Sequence, residues 1–245
     1  MLLMPFLSIL SLYFQGMGLL GDTTSAAFED FAGTQDYLVF IILGSALFIF
    51  VSTAIWGIGN SIRREQMMGT LESIWVAPIS KLTVFMGIAL FDGLFSTYVA
   101  FMQLFLSSIL LPVNLLVPRA LVALLLTFLL MFALYGMGFI FTGLVLIYKE
   151  IEDFTNLITS TIRMITPVSY PLSVLPAPVA FLALFIPLTY ALEGVRGYMG
   201  VGAYHPLHYY VAILIACDIL FVGIGSRLFY YADGRARRRG DIGTH

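Results

Sequence analysis

Asp92, Arg163 and Asp218 interrupt runs that are otherwise apolar. At ~1.5 Å of rise per residue, each sits on the order of 12–17 Å from the end of its run, near the middle of a ~30 Å hydrocarbon core. A lone charge at that depth costs about 2.5–3.5 kcal/mol on insertion scales, so these side chains must face protein or water. A pairing of Arg163 with Asp92 or Asp218 is therefore expected. Such a pair could hold helices together, or it could supply a charge to a gate or a path across the membrane. Other chemistry is missing. No G-x-x-x-x-G-K-[ST] stretch is present to cradle phosphates, and the only lysines, Lys81 and Lys149, follow no glycine-rich loop. Without it the chain is not expected to hydrolyse ATP, and with no Gly-x-Ser-x-Gly elbow or HExxH motif it reads as no enzyme. His205 and His208 flank Pro206 and read as interfacial histidines. Cys217 is the single cysteine, so no internal disulfide forms, and no clustered ligands suggest a metal site.

A second polar stretch reads RREQMMGTLESIWVAPISK, from Arg63 to Lys81. Arg63 to Ala77 contains no proline, and Pro78 supplies a stop. As a helix it brings Met67, Leu71, Ile74 and Trp75 to one face, with Arg64, Glu65, Glu72 and Ser73 largely elsewhere. That pattern suits a short amphipathic helix at a membrane surface, with Trp75 at the interface. It either anchors two spans or presents its polar face to a partner.

The chain that must position these residues has 245 residues, of which 60% are hydrophobic and 11% charged. A soluble domain is about half apolar and about a quarter charged, so a polytopic membrane protein is the class that fits. Apolar runs long enough to span cover roughly 2–20, 37–60, 82–111, 119–148, 155–175 and 207–231. The run 176–190 is fenced by Pro176, Pro178 and Pro187 and is short for a span, so it reads as a re-entrant segment between spans five and six. The first run has no basic n-region and no small-residue cleavage site ahead of Asp22, and reads as a span rather than a signal peptide. Lys and Arg set the orientation. Arg63, Arg64, Lys81, Lys149, Arg235, Arg237, Arg238 and Arg239 fall on one side, and Arg119 and Arg196 on the other. Six spans with both termini cytoplasmic follow, in one all-α integral membrane domain over 1–245.

The stretch from Arg63 to Ser80 resembles the cytoplasmic signature of ABC-2 type permeases, the membrane subunits of many ATP-binding-cassette exporters. In that family a basic-acidic cluster leads into a Gly-Thr-Leu-Glu-like core and a Pro-Ile/Val-Ser turn. Here those are Arg63, Arg64 and Glu65, then Gly69, Thr70, Leu71 and Glu72, then Pro78, Ile79 and Ser80. The segments 164–178 and 186–197 resemble the family's Pro-rich turn and Asn-Pro-Leu-like segment, with Ile186 in place of the usual Asn. The family usually has an amphipathic helix ahead of span one, whereas this sequence is apolar from Met1.

The resemblance implies six spans, a re-entrant extracellular segment and a coupling helix at 63–77 docked on a separate ATPase subunit. Arg63, Arg64, Glu65, Gly69, Thr70, Leu71, Glu72 and Pro78 would form that contact. It also implies two ATPase copies, which would carry the ATP and Mg, and a second permease copy in a homodimer or related heterodimer. This chain itself would need no cofactor and bind no nucleic acid. Its place would be the cell membrane (plasma or inner), in a prokaryote. Few charged side chains remain elsewhere, which suits export of an apolar or amphipathic substrate such as a drug, lipid or lipid-linked glycan. A stand-alone channel or secondary transporter is the alternative, since those use broken helices and midplane ligands.

Overall fold

The computed structural model describes residues 7, 10, 11, 13, 14, 26–70, 73, 80–111, 119–147, 151–202 and 204–239. Their regular structure is helical: α1 (Ala26–Ala32), α2 (Tyr37–Met67), α3 (Lys81–Leu110), α4 (Ala120–Ile147), α5 (Ile151–Ile165), a 3-10 turn (Leu172–Val174), α6 (Ala177–Ala183), α7 (Pro187–Tyr198) and α8 (Leu207–Arg239).

Four of these helices are long and apolar enough to cross a membrane, over Tyr37–Gly57, Thr83–Leu110, Ala120–Phe141 and Leu207–Tyr231. They match the expected spans two, three, four and six. Most of the first run, 2–20, lies outside the described residues. Its described positions Leu7, Leu10, Ser11, Tyr13 and Phe14 are helical.

The run 155–175 is not one continuous helix. α5 ends at Ile165 after 15 residues, ~22 Å at 1.5 Å each and short of a ~30 Å core. Pro167 is the reason, because a residue that precedes proline is steered away from helical angles. Thr166 closes the end with N–H and hydroxyl bonds to Ile162 O at 2.9 and 2.6 Å.

The proline-fenced run forms two helices rather than one. α6 and α7 meet at 89°, the geometry of a broken span or a re-entrant loop. Pro187 opens α7 at a position where a missing N–H costs nothing. The Thr189 hydroxyl donates to Ala183 O across the bend at 2.7 Å and fixes its angle. The second helix runs on to Tyr198, beyond the expected limit at 190.

α2 is the central helix. Its span is 78% buried, against 11% for that of α8, and it packs on α3, α4, α5 and α7. The most extensive pairing is α4 with α8. Glycine makes it possible: a Cβ on Gly136 would lie 2.5 Å from backbone atoms of Phe221 and Val222, and one on Gly225 would lie 3.1 Å from Phe139 Cβ. Gly223, which looks similar in sequence, has nothing within 4 Å. Outward apolar side chains such as Phe91, Leu94, Phe101, Leu121 and Ile219 remain exposed. A surface of that kind belongs in lipid or against another membrane subunit.

Candidate functional site

At the Met67 end of α2 the helix does not stop where its apolar run stops. It continues through Arg63, Arg64 and Glu65 to Met67. Its 31 residues make a rod of about 46 Å, some 15 Å longer than the apolar part needs. The end is a Schellman motif. Gly69 adopts φ +69, and Thr70 N–H donates to Glu65 O at 3.0 Å, which closes the last turn. The Thr70 hydroxyl also donates to the Glu65 carboxylate. Arg63, Arg64 and Glu65 therefore belong to the span helix, and Gly69 ends it. The expected single helix over 63–77 is corrected on this point, because a left-handed glycine cannot sit inside an α-helix. Met67 and Met68, just before the stop, are exposed. Leu71, Glu72 and Pro78 lie outside the described residues, as does Trp75.

Within the span region Asp92 of α3 packs against α2. A Cβ at Gly57 would press on its carboxylate, so the glycine lets that carboxylate lie directly against α2. The adjacent Gly93 faces the Tyr135 hydroxyl of α4. A narrow crevice lies alongside, lined by Phe50, Thr53, Ser96, Met131, Leu134 and Tyr135 and too tight to hold a water. Ser96 bonds back to Asp92 O at 2.8 Å. Asp218 sits apart on α8, against the backbone of Ala133 on α4.

Arg163 joins neither aspartate. Its side chain is exposed, and its guanidinium lies 5.3 Å from the centre of the Phe48 ring. The expected Arg163–Asp92 or Arg163–Asp218 pair is thus replaced by a cation–π contact. α5 lies against α2 and sends Arg163 to the face of an aromatic ring, which can hold a cation without a carboxylate.

Two polar residues that sequence reasoning left without a role bind helices together. Gln103 of α3 is 1% exposed and donates to Ser45 Oγ of α2 at 2.9 Å. Arg196 of α7 is 3% exposed. It donates to Pro167 O at 2.5 Å, Val168 O at 2.7 Å and Phe40 O at 2.9 Å, and it stacks 3.3 Å over the Phe40 ring. For Gln103 the available signal was a polar residue inside an apolar run, which must find a partner wherever it is buried; Arg196 lies between the runs, where nothing marked it for burial. His205 lies beside Tyr209 and Tyr210, with ring centres 5.4 and 6.0 Å away. Among the described residues no group of three or more His, Cys, Asp or Glu is placed to hold a metal ion.

The geometry is thus a buried rod that projects beyond its span at one end and is clamped to a bent helix pair at the other. Residues 1–199 match the family model described as ABC-2 type transporter. No curated protein matches the sequence significantly.

Proposed function

Since the chain belongs to the ABC-2 type transporter family and is the permease component of an ABC transporter, we propose that it moves an apolar or amphipathic substrate outward, powered by a separate ATPase subunit. Drugs, lipids and lipid-linked glycans are the substrate classes that the sparse charge suits. The Met67 end of α2 is cytoplasmic in this reading, supported by the Lys and Arg residues grouped on that side. Both termini are cytoplasmic, in a prokaryotic cell membrane. The functional assembly holds two permease copies and two ATPase copies, and ATP and Mg sit on the ATPase. Residues Arg63, Arg64, Glu65, Gly69, Thr70, Leu71, Glu72 and Pro78 form the coupling contact. The observation that carries this reading is the family match, whose span includes the whole stretch from Arg63 to Lys81. The projection of α2 beyond its apolar part supports it, because a rigid end outside the bilayer is what a partner can push.

The test is purification in mild detergent, followed by reconstitution. The chain alone is expected to hydrolyse no ATP, and an ATP-binding-cassette subunit is expected to co-purify with it. Glu72→Lys should lower ATPase stimulation and transport while expression stays normal, because it reverses a charge at the contact. Substrate flux through the lone chain, driven by an ion gradient, would instead establish a channel or secondary transporter.

A further inference from the structure

We propose that Arg196 is the positioning residue through which α2 and the bent pair α6–α7 move as one body, so that displacement of the Met67 end of α2 reaches the turn at 184–186. The inference rests on the permease reading and adds the route by which the far side of the membrane responds.

The contact has three features that simple packing does not require. First, one guanidinium joins two separate pieces of chain. Phe40 O belongs to the first turn of α2, and Pro167 O and Val168 O belong to the connection that follows α5. A planar fork can hold all three carbonyls at once, and a lysine ammonium cannot reproduce that geometry. Second, Gly44 keeps the space open. A Cβ there would lie 2.6 Å from the Arg196 guanidinium and would collide with Val168 O. Third, the charge is buried, and its described hydrogen bonds all go to backbone carbonyls, with the Glu193 carboxylate of the same helix attracting it without a described hydrogen bond. An apolar side chain at such a place commonly gives equal or better stability, so holding register is the better account of a charge there.

The mechanical path is continuous on both sides of this joint. One side is α2, an unbroken helix from Tyr37 to Met67. The other is α7, ended by a second Schellman motif in which Val201 N–H donates to Arg196 O at 2.8 Å around Gly200. The Thr189–Ala183 bond then ties α7 to α6 across the bend. Arg196 therefore lies where a rigid rod meets a rigid corner. The turn at the tip of that corner leaves Leu184 and Phe185 exposed, so a label placed there reads where the corner sits.

The test uses the permease–ATPase complex in liposomes, with Phe185→Cys as the only thiol in a Cys217→Ala background. The labelling rate with a membrane-impermeant maleimide is measured without nucleotide and after vanadate trapping. The parent should change its rate by about fivefold or more between states, the lower range of an allosteric coupling. Arg196→Lys should co-purify with the ATPase and hydrolyse ATP, yet show a labelling rate that nucleotide no longer alters. Phe40→Leu, which removes the ring beneath the guanidinium and leaves all three carbonyls, should give an intermediate response, and it carries the test if Arg196→Lys fails to accumulate. A parent-like response in Arg196→Lys, or in Phe40→Leu where it stands alone, overturns the proposal. So does a parent whose labelling ignores nucleotide. Failure of any ATPase to co-purify refutes the permease–ATPase reading instead, and with it the transmitted displacement.

Discussion

Arg163 and Arg196 end the opposite way from their sequence settings, the first inside an expected span and the second outside one. One lies over an aromatic face and stays exposed, and the other is enclosed by carbonyls. Arg163→Ala should cost only about 0.5–1 kcal/mol, the value of an exposed cation–π contact. Its effect on thermal stability should add to that of Asp92→Asn, as for residues that are not paired with each other. A strongly non-additive double variant would revive the ion pair. Gln103→Leu should be nearly neutral, within about 1 kcal/mol, although Gln103 is buried. Its Oε1 has no hydrogen-bond partner among the described residues, and Ser45 keeps its own bond to Ile42 O at 3.0 Å when the amide is gone. A loss of several kcal/mol in a denaturation series would show that the amide carries more than these bonds. Sequence reasoning could say that such residues must be satisfied, but not by what. It sought partners among opposite charges, whereas the acceptors used were backbone carbonyls and a ring face, which leave no mark in composition.

Spanning elements were the most legible, because a bilayer demands length and hydrophobicity together and both are written in the residues. The proline-punctuated run after α5 was legible as an interruption, though its two helices and 89° bend depend on where each proline falls in a helix. The stop at Gly69 was misread as the interior of a longer helix. Glycine is tolerated inside helices and enriched at their ends, and only its neighbours' hydrogen bonds decide between the two. Gly69→Ala should cost about 1 kcal/mol from the left-handed backbone alone, with no clash, since nothing lies within 4 Å of its Cβ position. A melting temperature equal to the parent's would mean that this end of α2 is not held in the Schellman form. Gly136→Ala meets backbone of α8 rather than a yielding side chain. A cost of about 1–3 kcal/mol is expected, as for overpacking. Gly223→Ala is the matched control and should be silent. Equal melting temperatures for the two would place the α4–α8 contact elsewhere.

Taken whole, the molecule is arranged around one helix that packs on α3, α4, α5 and α7. α2 carries the charged end at Met67, borders the crevice beside Asp92, and receives the Arg196 clamp near Tyr37. A transporter built this way should depend on the stiffness of α2 as much as on any contact along it. Two glycines inserted between Ile62 and Arg63 lie beyond the apolar part of the helix, so insertion and the packing of the spans should survive. The insertion adds ~3 Å and turns the charged end by about 200° relative to the span, at 3.6 residues per turn, and it softens the join. ATP hydrolysis by the co-purified complex should persist while transport falls. Four inserted alanines make a sharper comparison. They rotate the end by only about 40° and keep the helix stiff, at the expense of ~6 Å of length. If rotation and stiffness matter, the alanine variant should transport better than the glycine variant despite its larger extension. If length alone matters, the order reverses. If both transport as the parent does, α2 is not the member that carries the displacement, and the link between the two ends of the molecule must run through α3 or α5 instead.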